Sequence, residues 1–364
     1  MLPLLALVIA AQAQQAQAPA LSNLNPDLSL IADLAFAVHG PGEAPEGSGH
    51  DPAAQGFNFQ GLELAASKAV DPYFRMDAAV HFHLEGVEVE EVYGTTMGLP
   101  GRLQVRAGEF LTRFGRQNAT HLHSWSFVDV PFPLVRAFGG EGNRGLGAEA
   151  SWLAPLPWSA ELLVSGTMAD DEETARTFAP EEGAVQFPIQ TTAALEQFWA
   201  LGRDLDLAWG LSWATGPATD DGRGELWGSD VMLRYRPLSD GRQGSTALSG
   251  EVFYRRLDTP AGLLTDWSAF AVIEGRFSKR WGAAARYEWG APTMSDGRIA
   301  TDPLDPDWAD TRQRVAAALT WWPSEFSRVR LQGEADLPGW VDEPLLAAFL
   351  AFEISAGAHG AHRY

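Results

Sequence analysis

Between residues 71 and 84 hydrophobic and polar side chains alternate almost without a break. Phe74, Met76, Ala78, Val80, Phe82 and Leu84 share one parity, and Tyr73, Arg75, Asp77, Ala79, His81 and His83 share the other. A period of two predicts a β-strand. Its length, about 12 residues, matches the roughly 9–11 that a tilted strand needs to cross a bilayer and exceeds the roughly 5–6 of an ordinary globular strand. The pattern recurs: Leu205, Leu207, Trp209, Leu211 and Trp213 alternate with Asp206, Ala208, Gly210 and Ser212, and Leu346, Ala348, Leu350, Phe352 and Ile354 mark the last strand. The opposite parity collects charge: Arg75, Asp77, Glu88, Glu90, Arg106, Asp206, Asp230, Arg234, Arg236, Glu251, Arg255, Glu274, Arg276, Arg286, Glu288, Arg330, Glu334, Asp336 and Glu353.

About 16 such segments, or 14 if the weak first and eighth are discounted, predict an all-β fold: a transmembrane antiparallel up-and-down β-barrel with the charged parity lining the pore. A soluble sandwich also alternates. The number and length of the strands, and the Trp and Tyr recurring near the ends of the apolar faces, favour the barrel. The connections give a further test. With both termini periplasmic, the connections after odd strands are long and extracellular (40–55, 116–143, 170–192, 216–224, 258–263, 291–310 and 337–343). The even ones are short, as in outer-membrane barrels. Glu85-Gly86 is the one short outer turn expected.

Composition narrows the class. With 47 acidic and 26 basic side chains the formal charge is −21, which argues against nucleic acid as a partner. The absence of Cys removes disulfides and thiolate metal sites. Residues 1–20 run from an apolar block into small residues with Ala-x-Ala matches, as a secretory leader does, leaving 21–364 for the barrel. No Lys or Arg precedes that block, which leaves room for a start further upstream.

Six of the eight His (His39, His50, His81, His83, His121 and His123) fall at or beyond the outer rim, while His359 and His362 fall at the periplasmic end. His81-x-His83 points both rings to the lumen, and His121-x-His123 can approach from the long loop, which together offer a site for a borderline metal such as zinc. The blander reading is solvated rim histidines bonded to loop backbone. Within that loop, 118–138 is rich in large apolar side chains, so it either folds into the lumen as a constriction or packs on neighbouring loops or subunits. Ser124 and Ser126 beside His123 raise a hydrolase, but triad partners converge in space rather than along the chain. No enzyme is expected.

Asn25-Pro26-Asp27-Leu28-Ser29-Leu30-Ile31, Val70-Asp71-Pro72-Tyr73, Val87 to Tyr93, and Ala107-Gly108-Glu109-Phe110 through Phe114-Gly115-Arg116-Gln117-Asn118 resemble a Gram-negative outer-membrane porin-like family. That family is related to the phosphate-selective porins, and some members carry the label zinc-regulated TonB-dependent outer membrane receptor. The resemblance is dense from Asn25 to about Trp158 and thin beyond. It implies a passive outer-membrane channel set in lipid bilayer and lipopolysaccharide, with a homotrimer as the common porin assembly. TonB-dependent receptors carry a plug within about 22 strands, for which this chain has no room.

The expected function is passive diffusion of small ions or solutes with no resident cofactor; the alternative is a receptor for a divalent metal such as zinc. The long outer loops hold 21 carboxylates against five Arg, a negative field that favours cations. The inward arginines pull the other way.

Overall fold

The computed structural model describes residues 26–41, 47–169, 171–180, 185–218, 222–237 and 244–357. The expected leader 1–20, and His359 and His362, lie outside them. Sixteen long strands form the wall: β1 (Asp27–His39), β2 (Gly56–Ala69), β3 (Phe74–Phe82), β4 (Val87–Thr96), β5 (Leu103–Leu111), β6 (Arg144–Leu153), β7 (Ser159–Met168), β8 (Ile189–Ala200), β9 (Leu205–Pro217), β10 (Arg223–Tyr235), β11 (Ser245–Thr259), β12 (Gly262–Arg276), β13 (Trp281–Gly290), β16 (Arg312–Ser324), β17 (Ser327–Pro338) and β18 (Leu345–Gly357). Each pairs antiparallel with its neighbours, and β1 pairs with β18 from Ser29↔Gly357 to His39↔Ala347, which closes the barrel. Two short strands, β14 (Met294–Ser295) and β15 (Arg298–Ile299), make a small hairpin in the outer loop after β13. Its turn residues Asp296 and Gly297 have φ of 48° and 75°, as an Asp-Gly hairpin turn requires.

The alternation sorts the two faces. Phe74 and Met76 on β3, Leu211 on β9, Val315 and Leu319 on β16, and Leu346 and Leu350 on β18 all face outward and are exposed. Their inward neighbours Ala79, His81, Ser212, Arg314 and Ala351 are buried. Aromatic pairs mark both ends of the apolar band. Trp158–Trp199 and Trp281–Trp321 stack near the periplasmic ends, with ring centroids 6.3 and 6.1 Å apart, and Trp213–Trp227 and Tyr254–Trp267 lie near the outer ends. Tyr and Trp suit these positions because one end of the ring is apolar and the other polar. The periplasmic turn after β2 is set by Asp71, whose Oδ1 accepts the amides of Tyr73 and Phe74 at 2.7 and 2.8 Å. The outer connection expected at 258–263 is shorter than that: pairing continues to Thr259↔Gly262, and Gly262 at φ 125° makes the tight turn. It joins Glu85-Gly86 as a second short outer turn.

The lumen is not an open tube. Residues 112–143 fold inward and carry helix α1 (Phe132–Phe138), all of whose residues are buried. Phe114, Leu134 and Phe138 of this segment pack on Leu226, Phe253 and Phe270 from β10, β11 and β12. Burying such side chains is worth about 1.5–3 kcal/mol each. This apolar patch on the inner wall is what draws the loop in. A second outer loop adds helix α2 (Glu172–Ala175), capped by Asp171, which accepts the Thr174 amide at 3.0 Å.

Candidate functional site: a constricted lumen and a histidine–carboxylate cluster

The wall holds the infolded loop through charge. Glu251 accepts the amides of Arg116 and Gln117 at 2.9 and 2.6 Å, and Glu288 accepts that of Phe132 at 2.6 Å. Arg330 donates to the carbonyls of Phe127 and Trp125, each at 2.7 Å, and Gln332 accepts the Val128 amide at 2.9 Å. Asp129 is clamped between Arg286 and Arg314. Arg255 pairs with Asp266 at 2.7 Å and with Asp302 of the outer loop. Glu274 accepts the Ser126 hydroxyl.

The residues expected to line an open pore therefore divide. Glu251, Arg255, Arg286, Glu288 and Arg330 face inward but are buried under the loop rather than in contact with a water-filled passage. Desolvating a charge is costly unless it is paired and hydrogen-bonded, and the loop supplies the partners. Glu334 sits beside Gln332 at 3.3 Å in the same region. Arg234 and Arg236 pair with Asp206 near the periplasmic rim, at 3.1 and 3.7 Å, and Arg276 donates to the Lys279 carbonyl in a periplasmic turn.

Across the lumen a polar chamber of about 560 Å³ remains, bounded mainly by β1–β5 and β8–β10 and reaching their periplasmic ends. Six carboxylates line it (Asp27, Glu63, Asp77, Glu91, Glu196 and Asp230) against four guanidiniums (Arg75, Arg106, Arg113 and Arg116). Those guanidiniums are engaged. Arg75 pairs with Asp77 at 2.7 Å, Arg106 and Arg113 with Glu149 at 3.0 and 2.7 Å, and Arg116 with Asp230 at 3.8 Å. Loop residues Thr120, His121 and His123 stand at its outer side. Beyond them is a narrower cavity of about 70 Å³, lined by His50, Glu90, Trp125 and Glu141 among others. Leu111, Thr120 and His121 line both cavities.

Two β-bulges build this junction. On β4 the register against β3 slips between Ala79↔Glu91 and Val80↔Val89, so Glu90 is the extra residue. The slip lets Glu90 and Glu91 both reach the lumen while Val89 and Val92 stay in lipid. On β2 the extra residue is Gln60, whose amide donates to the carbonyls of His50 and Val128 at 2.9 and 3.1 Å, tying two outer loops to the wall. Next to it, Gly61 has φ 144°, and a Cβ there would lie 2.1 Å from His81 Nε2. Only glycine leaves room for that ring.

The four histidines expected as one metal site are split. His81 and His83 gather with His50, which lay outside the expected set: ring centroids are 4.2–5.1 Å apart, and one nitrogen from each lies within 4.8 Å of the others. His121 falls instead with Glu63 and Glu90. Its Nδ1 is 3.3 Å from Glu90 and its Nε2 3.0 Å from Glu91, while His123 Nδ1 is 3.0 Å from Glu63. Burial opposes charge on His121, yet Glu90, Glu91 and Glu63 overcome it and hold the imidazolium well above the ordinary histidine range. Burial likewise opposes charge on His50, and Glu141 at 2.7 Å with Glu90 outweighs it. His83 is pushed down by burial and by the charge of His50.

No family model matches the chain. An uncharacterized protein of Aquifex aeolicus (strain VF5) is 29% identical over 353 residues, spanning 84% of this chain and 72% of the relative. Among solved structures the chain is similar to OprB of Pseudomonas putida (TM-score 0.62, 9% identity, 94% of this chain and 96% of that one). It is also similar to an anion-selective porin from Comamonas acidovorans (0.55, 11%, 91% and 99%) and to the trimer form of the outer-membrane protein OmpT of Vibrio cholerae (0.56, 10%, 91% and 99%). At such identities the likeness is one of fold. That fold is the β-barrel of the outer-membrane porins.

Proposed function

We propose that this barrel is a passive channel for small ions and solutes, narrowed by the infolded loop and preferring cations. The observation that carries the reading is the division of charge inside the lumen. Arg255, Arg286 and Arg314 are buried against Asp266, Asp129 and Asp336, so they present no positive face to a passing solute. Six carboxylates border the open chamber against four guanidiniums and the His121 imidazolium, a small acidic excess, and the junction beyond it is lined by Glu and His. Charge at the narrowest point outranks the vestibule in setting selectivity. The likeness of the sequence to phosphate-selective porins points to anions, but the guanidiniums that would serve them are paired or buried.

The same reading takes lipid outside the apolar band, lipopolysaccharide at the outer rim, and a homotrimer as the assembly, the last supported by the trimer form recorded for one structural neighbour. Reversal potentials under a potassium chloride gradient test the preference. A potential of the sign for potassium supports it, and one of the sign for chloride at both low and high salt overturns it.

A further inference from the structure

We propose that His50, His81 and His83 form a binding site for one divalent transition cation of the zinc class. The inference goes beyond the channel reading and does not depend on it. The three rings come from three places, the outer loop 47–55, strand β3 and the turn after it, and meet at the outer end of the constriction. His50 and His81 are 8% and 7% exposed, so their polar atoms must find partners inside the protein. They do not all find them: His50 Nδ1, His81 Nδ1 and His83 Nε2 are buried with no hydrogen-bond partner. One ring nitrogen from each histidine lies within 4.8 Å of the others, and around them stand only loosely placed carboxylates, Glu90 3.9 Å from His81 Nδ1 and Glu88 3.5 Å from His83 Nε2, a donor set that a cation would fill.

The neighbouring cluster shows the contrast. There His121 and His123 are matched nitrogen to carboxylate with Glu90, Glu91 and Glu63, which satisfies the rings as an ion-pair network. At His50 the pairing is of another kind. Glu141 holds Nε2 at 2.7 Å and leaves Nδ1 for a metal, the carboxylate–histidine–metal arrangement that fixes ring orientation and raises ligand basicity. Glu90 lies 3.6 Å from His50 Nε2 and 3.9 Å from His81 Nδ1, a neighbouring carboxylate whose charge favours a cation here. Three imidazoles, with the fourth position left to water, suit zinc, or cobalt in its place, rather than magnesium or calcium, which take oxygen donors. With bonds of about 2.0–2.1 Å the ligands about a tetrahedral metal stand roughly 3.3 Å apart, so binding draws the rings inward by about 1 Å. The two β-bulges and Gly61 fix the wall side of the site.

The test is calorimetric titration of the detergent-purified barrel with zinc chloride, which reads the site whether or not the protein conducts. The expected result is one zinc per barrel, with affinity reduced at least about 100-fold by His50→Ala or His81→Ala, about 10–100-fold by Glu141→Gln, and little changed by His39→Ala. Folding of each variant is checked by the shift in gel mobility on boiling. Cobalt(II) bound to the unaltered protein supplies a readout free of any substitution: intense visible bands of a tetrahedral centre are expected. Absence of stoichiometric binding, an octahedral cobalt spectrum, or folded His50→Ala and His81→Ala variants that bind as well as the parent would each overturn the proposal.

Discussion

Glu90 and Glu91 show what one residue can decide in a barrel. In the run Val87-Glu88-Val89-Glu90-Glu91-Val92 strict alternation sends Glu91 into lipid, a cost of kcal/mol order for a charge. The chain inserts a bulge instead and gains a second inward carboxylate, which joins Glu90 in holding His121. The break in alternation was the visible signal for Glu91; parity counting alone hides it. His50 carried no such signal, because it stands in a Gly- and Pro-rich loop where nothing local fixes which way a side chain turns. Gly61 gives the first prediction: Gly61→Ala places a methyl against the His81 ring at a strained φ, and should weaken zinc binding at least tenfold in calorimetry while the barrel still folds. The second concerns the two faces of β9. Leu211→Arg should destabilise by about 2–4 kcal/mol in urea titration near the bilayer midplane, and Ala208→Ser should cost far less. Ser212→Ala, which parity alone marks as harmless, should cost about 1 kcal/mol, because Ser212 Oγ accepts the half-buried Gly115 amide at 2.9 Å.

The element on which function turns is the infolded segment 112–143. Its apolar content pointed to a constriction, and α1 does pack on the inner wall. What the sequence could not show was the ionic half of the attachment, since Asp129 and its partners Arg286 and Arg314 are more than 150 positions apart. Burial would raise the Asp129 carboxyl, but the two guanidiniums hold it below the usual range. A depressed pKa contributes stability that is present above the unfolded value near 3.9 and is lost as pH falls below it. Release of the loop at pH below about 4, followed by limited proteolysis, is therefore expected. Asp129→Ala should bring that release to neutral pH, since removing one partner of a buried pair costs about 3–5 kcal/mol. A loop equally protected in the variant would show that the apolar contacts alone hold it.

For the whole molecule, the alternation and the loop asymmetry made the closed barrel of sixteen wall strands legible, because lipid imposes period two on every strand. Selectivity was less legible. Counting charges by parity treats every inward arginine as open to solute, whereas the fold buries Arg255, Arg286 and Arg330. Outer-loop carboxylates are also drawn in, Asp129 and Asp302 among them, so the rim is less negative than the count of 21 suggests. Cation preference then rests on the chamber and its junction more than on the vestibule.

The most direct measurement is single-channel recording in planar bilayers under a potassium chloride gradient, with the parent protein and Asp129→Ala side by side. The account predicts a small conductance whose reversal potential favours potassium, and a severalfold larger conductance once the loop loses its anchor. Screening, with a Debye length of about 10 Å at 0.1 M and 3 Å at 1 M, should weaken but not invert the preference as salt rises. No conductance from either protein, or a reversal potential favouring chloride at every salt concentration, would contradict it.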